Sequence, residues 1–467
     1  MRSTPEIDAR SGLEKLATYP FHICSWVDES GYPISVAVQA TIDPASRVAT
    51  FEPPAGLTVP TDRDVSLTGS HIRPQPGYGY DERRHVTVWG RVAPGIRPDS
   101  MARIVTLTGR AAWGWDESEV PFFEYSERSV PRSRRYFDAL SAERGTPVKP
   151  RLSFGFLALR TTRLPFLTAT IVPVLLGIAI AASHGAFDLV SAALTVIGAS
   201  FVQLGLNVAN DVFDTVQGAD DANVTPTQFS GGSRVIQYGL VTLRQMASIA
   251  TGFYVAAALV GFVLLATRGS MALLVIGVVG FIVSLGYTAP PLKFVYRGLG
   301  EVAVALGFGP LMLLGAYVVQ TRGALAWEPF VASIPIALLV ALILYVNEIP
   351  DRRGDEHAGK RTLPVRFSRS AVVTGYNVAV VAAYVVVVLG VVAGVLPVPT
   401  LLMLLTVPLA RRVSGGLTPN YDDPYGLMAF MGVNVRLHLA AGALLLVAYV
   451  IVIAAMAVAP GVDLFLG

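Results

Sequence analysis

One cysteine, Cys24, is the whole thiol inventory of the chain, which excludes an internal disulfide and any cysteine-based metal pattern. Charge is scarce too: Asp, Glu, Lys and Arg make up 15% of the 467 residues. A soluble globular protein carries about 25%. The net charge of +3, with no isolated basic tract, offers no electrostatic footprint for nucleic acid, so no such partner is expected. The opening "MRSTPEIDARSGLEKLATYP" lacks the apolar core of a secretory signal, and the N-terminal region is expected to remain cytoplasmic.

What the chain has instead is apolarity: 53% hydrophobic residues and a mean hydropathy of +0.55. It is unevenly spread. Residues 1–150 read as a soluble domain, and after "RLSFGFLALRTTRLPF" long apolar runs fill 151–467. A membrane-crossing helix needs ~20 mostly apolar residues to span ~30 Å of hydrocarbon. On that criterion spans are expected near 164–183, 187–208, 244–267, 271–288, 299–320, 328–348, 371–394, 396–410 and 436–459, about nine in all. The fold class expected is therefore an all-α polytopic membrane bundle behind a soluble, mainly-β domain.

Short-loop Lys and Arg residues fall mostly on one side, from Arg160 and Arg163 through Lys293 and Arg297 to Arg411, Arg412 and Arg436. The other side has little beyond Arg268 and Arg322. Cytoplasmic loops are the basic ones. The bias predicts a multi-pass protein of the cell (inner) membrane, with the N-terminal domain cytoplasmic and the C-terminus outside.

The acids gather on that same side. In "LNVANDVFDTVQGADD", Asn207, Asp211 and Asp214 share one helical face, with Asp220 and Asp221 just beyond. In "NEIPDRRGDEHAGKRTLPVR", Asn347, Asp351 and Asp355 fall at i, i+4 and i+8, with Pro350 expected to kink or end the helix between them. Two carboxylate-rich faces at one membrane surface suit a divalent cation such as Mg²⁺, which takes hard oxygen ligands together with substrate phosphates. Bridging metal reverses a field that would otherwise repel a diphosphate. Basic groups for the remaining phosphate charge are Lys360 and Arg361, Arg234 in "FSGGSRVIQYG" and Lys293 in "YTAPPLKFVYRGLGE". Lys293 reads equally well as a topology anchor, and any single acidic cluster as the water boundary of a helix. Two such clusters at helical spacing are harder to explain that way. Arg352, Arg353 and Arg369 read as topology charges.

These motifs, with "TPTQFSGGSRVIQYGLV" and the entry "LRTTRLPFLTATIVPVLLG", resemble the two aspartate-rich signatures of the UbiA superfamily of intramembrane prenyltransferases. The resemblance covers roughly 155–460. The "GKRTLPVR" ending and the "NDVFD" form are most similar to the branch that prenylates 1,4-dihydroxy-2-naphthoate for menaquinone synthesis. The resemblance implies two Mg²⁺ ions held by Asp211, Asp214, Asp351 and Asp355, gripping an allylic polyprenyl diphosphate. An aromatic quinone precursor is then the acceptor, and the isoprenoid tail lies toward the bilayer. Where many members have a further Asp, this chain has Gly218, and the resemblance implies that Asp220 takes its place. Asn207, Asn210 and Asn347 would bind metal waters or phosphate oxygens. Tyr287 either lines the cation chamber or packs.

From Tyr19 to Pro94, short alternating runs such as "FHICSWV", "PISVAVQATI" and "HVTVWGRVAP" predict a small antiparallel barrel, followed by helices near 97–110 and 132–144. The order resembles flavin-binding split barrels related to pyridoxamine-phosphate oxidase. That implies FMN, with His71, Arg73 and Arg91 as phosphate partners, although surface charge explains these residues equally well. Other readings remain at this point: a transporter with acids along its path, a flavin-dependent reductase anchored by a degenerate prenyltransferase-like domain, or a prenyltransferase with a non-quinone acceptor. Charge-free span centres, with Glu301 the main exception, speak against the transporter.

Overall fold

The computed structural model describes residues 7–74, 80–97, 99, 101–150, 152–223, 226–459 and 464–465. The chain divides into two compact units, Arg2–Arg132 and Ser133–Gly467, with the boundary inside a helix.

The first unit begins with helix α1 (Ala9–Leu16), capped by Asp8, and continues as an antiparallel sheet. Its strands are β1 (His22–Val27), β2 (Pro33–Val38), β3 (Ala40–Asp43), β4 (Val48–Phe51), β5 (Val65–Pro74), β6 (Tyr80–Ile96) and β7 (Arg103–Asp116), in the order β2-β1-β5-β6-β7-β4-β3. The two edge strands are separated by Gln39 alone, and one residue spans under about 4 Å. The sheet must therefore roll until its edges meet, around a core that includes Leu13, Phe51, Leu67, Val88 and Leu107. Strand β1 alternates buried and exposed positions, the period expected of a sheet with one wet face.

The helix expected near 97–110 is absent; β7 occupies Arg103–Asp116. Its Val105 and Leu107 are buried while Thr106 and Thr108 are not, a period of two that the local composition masked. The second expected helix exists and starts earlier, as α2 (Phe122–Arg144). Each residue considered for a flavin phosphate stands in an ion pair: His71 with Glu82, Arg73 with Asp81 and Glu82, Arg91 with Asp64.

The second unit is helical: α3 (Phe154–Thr162), α4 (Thr168–Ser183), α5 (Leu189–Val216), α6 (Ala219–Ala222), α7 (Leu243–Arg268), α8 (Met271–Gly286), α9 (Gly300–Leu306), α10 (Met312–Thr321), α11 (Trp327–His357), α12 (Leu363–Arg366), α13 (Arg369–Val392), α14 (Val407–Asn420) and α15 (Pro424–Val458). Among the described residues seven helices are long and apolar enough to cross a membrane, not nine. Helix α8, at 16 residues, is shorter than the criterion. The run expected at 396–410 is a 3₁₀ stretch, Val398–Thr406, passing into α14, because Pro397, Pro399 and Pro408 remove amide donors from it. Helices α9 and α10 form one span through a π-helical segment at Gly307–Leu311 that contains Pro310.

Helix α11 is the axis of the bundle: 72% of its apolar window is buried, against 11% for α7. Leu339, Val346 and Ile349 of α11 pack with Leu176 of α4, Leu313 of α10, Tyr376 of α13 and Leu437 of α15. Two expectations about the acidic segments change here. Helix α5 runs on to Val216, so Asn207, Asp211 and Asp214 stand on the span itself. Helix α11 passes through Pro350 unbroken to His357, carrying Asn347, Asp351 and Asp355 on one continuous helix.

Candidate functional site

A polar cavity of about 170 Å³ lies where the C-terminal turns of α5 and α11 converge with the segment 226–232 and Lys360. Helical spacing delivers Asn207, Asn210 and Asp214 from α5, and Asn347, Glu348, Asp351 and Asp355 from α11. Gly218, at φ +81°, turns the chain out of α5 into the short α6, which brings Asp220 to the wall. Arg163, in the left-handed region after α3, reaches the same wall and donates from Nη2 to the Phe229 carbonyl at 3.3 Å.

Some of the carboxylates are held at both oxygens by the protein, and others keep one oxygen open. Asp351 accepts from Asn223 Nδ2 at 2.8 Å and from the Gly231 amide at 2.9 Å. Asp214 accepts from the Tyr296 hydroxyl at 2.9 Å, from Asn210 Nδ2 at 3.1 Å and from Lys360 Nζ at 3.4 Å. Lys360 also lies 3.7 Å from Asp355 Oδ1. The Ser233 amide donates to Asp211 Oδ2 at 3.1 Å. Buried oxygens of Asp211, Asp220 and Asp355 have no protein partner. Native proteins leave few such atoms, and each one asks for an explanation.

Burial pushes the Asp220 carboxyl well above the ordinary carboxylate range, and the nearby Asp211 and Asp214 add to it against Arg234 and Lys360. For Lys360, burial works against the ammonium, but Asp214 and Asp355 outweigh it and its pKa rises. The lysine therefore stays charged among the acids.

Gly231 and Gly232 have φ of +79° and +73°, a region that disfavours side chains. A Cβ at Gly232 would sit 3.0 Å from Asp220 Oδ1 and 3.2 Å from Asp211 Oδ1, so it would fill the space those oxygens share. Among the described residues no three His, Cys, Asp or Glu side chains converge closely enough to hold an ion unaided. A hard cation here takes further oxygens from phosphate and water, as Mg²⁺ ordinarily does.

A second, apolar cavity of about 590 Å³ adjoins the first between α5, α7, α8 and α10. Gln203, Leu206, Tyr287, Val304 and Phe308 line both, so the two share a wall.

The structure thus brings Asn207, Asn210, Asp214, Asp220, Tyr287, Asn347, Asp351, Asp355 and Lys360 to the polar cavity. Asp211 stands just behind the wall, under Gly232. Three basic residues do not reach the wall. Arg234 is buried and hydrogen-bonds the Asp220 carbonyl. Lys293 lies over the Tyr296 ring, 5.4 Å from its centroid. Arg361 is exposed, and its backbone amide donates to the Tyr296 carbonyl. Thr225, the first residue of the "TPTQF" motif, lies outside the described residues.

Sequence reasoning missed Arg163, read as a topology charge, although its place in "LRTTRLPF" beside the first span was a signal. It also missed Asn223, the donor to Asp351, and Glu348, which stands directly beside Asn347 but outside the i+4 spacing.

The UbiA prenyltransferase family profile matches residues 170–434, more than half of the chain, and the chain belongs to that family of membrane prenyltransferases. The 1,4-dihydroxy-2-naphthoate octaprenyltransferase of Bacillus subtilis is 28% identical over 287 residues, 62% of this chain and 90% of that one. The 2-carboxy-1,4-naphthoquinone phytyltransferase of Synechocystis is 26% identical over 292 residues, 61% of this chain and 90% of the relative. A solved UbiA homologue from Archaeoglobus fulgidus bound to DMAPP and Mg²⁺ is a looser likeness. Its TM-score is 0.46 and its identity 14%, covering 62% of this chain and 99% of that one.

Proposed function

We propose that the helical unit transfers a polyprenyl group from an allylic diphosphate to 1,4-dihydroxy-2-naphthoate or a closely similar quinone precursor. The observation that carries this reading is the set of buried, partnerless carboxylate oxygens beside Lys360, in a polar cavity that shares a wall with a large apolar one. The first matches a diphosphate with its cations and the second an isoprenoid tail. The acceptors in the names of the two relatives, 1,4-dihydroxy-2-naphthoate for one and 2-carboxy-1,4-naphthoquinone for the other, support the choice of a naphthalene-derived ring.

In this reading Asp211, Asp214, Asp220, Asp351 and Asp355 hold two Mg²⁺ ions. Asn207, Asn210 and Asn347 bind the ions' waters or phosphate oxygens. Bound Mg²⁺ supplies Lewis acidity and neutralises the charge of the departing diphosphate. Lys360 and Arg163 bind non-bridging phosphate oxygens, while Arg234 holds the segment that carries Gly231 and Gly232. Lys293 and Arg361, off the wall, receive no phosphate contact.

The allylic C–O bond breaks with its electron pair leaving on the diphosphate, and a ring carbon of the acceptor forms the new C–C bond. That carbon then releases a proton, or carbon dioxide where it bears the carboxyl, and aromaticity returns. Tyr287, Phe308, Val340 and Leu344 wall the reacting carbons against water, which would otherwise capture the cation. The bias of Lys and Arg in the short loops supports a site at the cytoplasmic face of the inner membrane. FMN in the β unit stands outside this reading, since the residues considered for its phosphate are engaged in ion pairs.

The test is an assay of enriched membranes with labelled polyprenyl diphosphate, a panel of aromatic acceptors, and either Mg²⁺ or chelator. The expected outcome is Mg²⁺-dependent label on a naphthoate; transfer unaffected by chelator, or none to any aromatic ring, contradicts the reading.

A further inference from the structure

One buried acid of the cavity has no task in the reaction so described. Glu348 is 4% exposed and lines the polar cavity, and no protein group other than the neighbouring acid Glu301 reaches its carboxyl oxygens. It faces the carboxyl of Glu301 on α9, whose Oε1 is likewise without a partner. A buried polar group left unsatisfied is destabilising, and more so when charged. The two acids can share one proton between them, and the oxygens this leaves open on Glu348 and Glu301 point to a hydrogen-bond donor that comes from outside the chain.

Position narrows the donor. On α11, Leu344 lies one turn to the apolar side of Glu348 and Asp351 about one turn to the acidic side, and both line the cavity. On α9 and the segment after it, Val304 and Phe308 follow Glu301 by one and two turns, and both line the polar and the apolar cavities. The pair therefore sits at the junction, where the allylic carbon and the attacked ring have to meet. Of the two cations on this wall, Lys360 is engaged by Asp214 and Asp355, and Arg163 donates to the Phe229 carbonyl. A diphosphate would be repelled by the two acids, and an isoprenoid tail has no donor. A ring hydroxyl has one.

We propose that Glu348, positioned by Glu301, accepts a hydrogen bond from a hydroxyl of the aromatic acceptor and so selects hydroxylated rings. The proposal rests on the prenyl-transfer reading above and adds to it the residue that discriminates the acceptor.

The test uses the full chain in enriched membranes, with labelled polyprenyl diphosphate and two acceptors, 1,4-dihydroxy-2-naphthoate and its 1,4-dimethoxy counterpart. Glu348→Leu removes the acceptor atom at similar volume, and Glu348→Gln restores a carbonyl. A charged hydrogen bond corresponds to about tenfold or more in affinity. The expected result for Glu348→Leu is therefore an acceptor KM raised at least about tenfold, with the diphosphate KM within about twofold. Its preference for hydroxyl over methoxy should fall by a similar factor, and Glu348→Gln should recover most of both.

An unchanged acceptor KM, an equal rise in both KM values, or an unchanged hydroxyl preference overturns the proposal, because a merely structural role predicts one of these. If Glu348→Leu does not accumulate, Glu301→Leu carries the test, with a smaller rise of about threefold confined to the acceptor KM. Failure of the underlying reading is distinguishable, since it appears in the unsubstituted chain as transfer to neither ring.

Discussion

Helix α11 carries a polar cluster with a buried acid at each end. At its start, Glu328 accepts from the Tyr449 hydroxyl at 2.8 Å and lies 2.6 Å from His184 Nε2, while His184 Nδ1 is 2.8 Å from the Tyr317 hydroxyl. Those contacts tie α4, α10, α11 and α15 together, and both Glu328 oxygens are used. Asp355 lies 27 residues further on, about 40 Å along the helix axis. Around it, oxygens of Asp211, Asp220, Asp355 and Glu348 are buried and partnerless. Buried acids whose bonds close within the protein make a strut. Buried acids whose bonds remain open make a receptor, and this contrast locates the site more firmly than acidity does.

Four substitutions or conditions break or sharpen the contrast. The largest effect is expected from Asp351→Ala, which removes a carboxylate held by Asn223 and Gly231. Mg²⁺-dependent prenyl transfer should fall by at least about a hundredfold, as for loss of a group that stabilises developing charge, while gel filtration shows a folded protein. Gly232→Ala should follow, with a loss of about tenfold or more in transfer. Its Cβ meets Asp220 and Asp211 oxygens at 3.0–3.2 Å, and its φ of +73° is strained besides.

At the other end Glu328→Gln should reverse the pattern. It weakens the strut by about 1–3 kcal/mol, read as a lower melting temperature, and leaves turnover per folded molecule unchanged. The smallest effect belongs to pH. The Glu328 hydrogen bond raises the His184 pKa against the opposing effect of burial. The stabilisation is full below the ordinary histidine value of about 6.5 and is lost as pH rises through the raised value. Melting temperatures should therefore decline as pH rises above the ordinary histidine value of about 6.5 and lose that slope in His184→Gln; partial exposure of the ring keeps the change small.

Much of the site was legible because helical spacing is local information. Asn207 and Asp214 on one helix, and Asn347, Asp351 and Asp355 on another, were placed on shared faces by sequence, and those faces do meet at one cavity. The long-range part was not legible. Which arginine enters depends on Arg163 adopting left-handed backbone at the end of α3, while Arg234 turns inward to the Asp220 carbonyl. The place of Arg163 in "LRTTRLPF" beside the first span is the one local signal, and it does not reveal that Arg234 turns inward. Local preference has Pro350 kink or end the helix, yet α11, packed among its neighbours, continues through it to His357, so tertiary packing overrides termination there. The strand at Arg103–Asp116 was hidden for a similar reason, since its Gly, Ala and Thr residues carry weak periodicity until β6 pairs with it.

The central claim is that the open cluster is a metal–diphosphate clamp. It is tested most directly by the melting temperature of the purified full chain with polyprenyl diphosphate, with and without Mg²⁺, in the unsubstituted protein, Asp351→Ala and Glu328→Gln. Ligand bound at 100 times its Kd stabilises by about 2.7 kcal/mol, which such a melt resolves. The account predicts a stabilisation that needs both diphosphate and Mg²⁺, survives in Glu328→Gln, and disappears in Asp351→Ala. A shift of equal size without Mg²⁺, or one retained in Asp351→Ala, would contradict it.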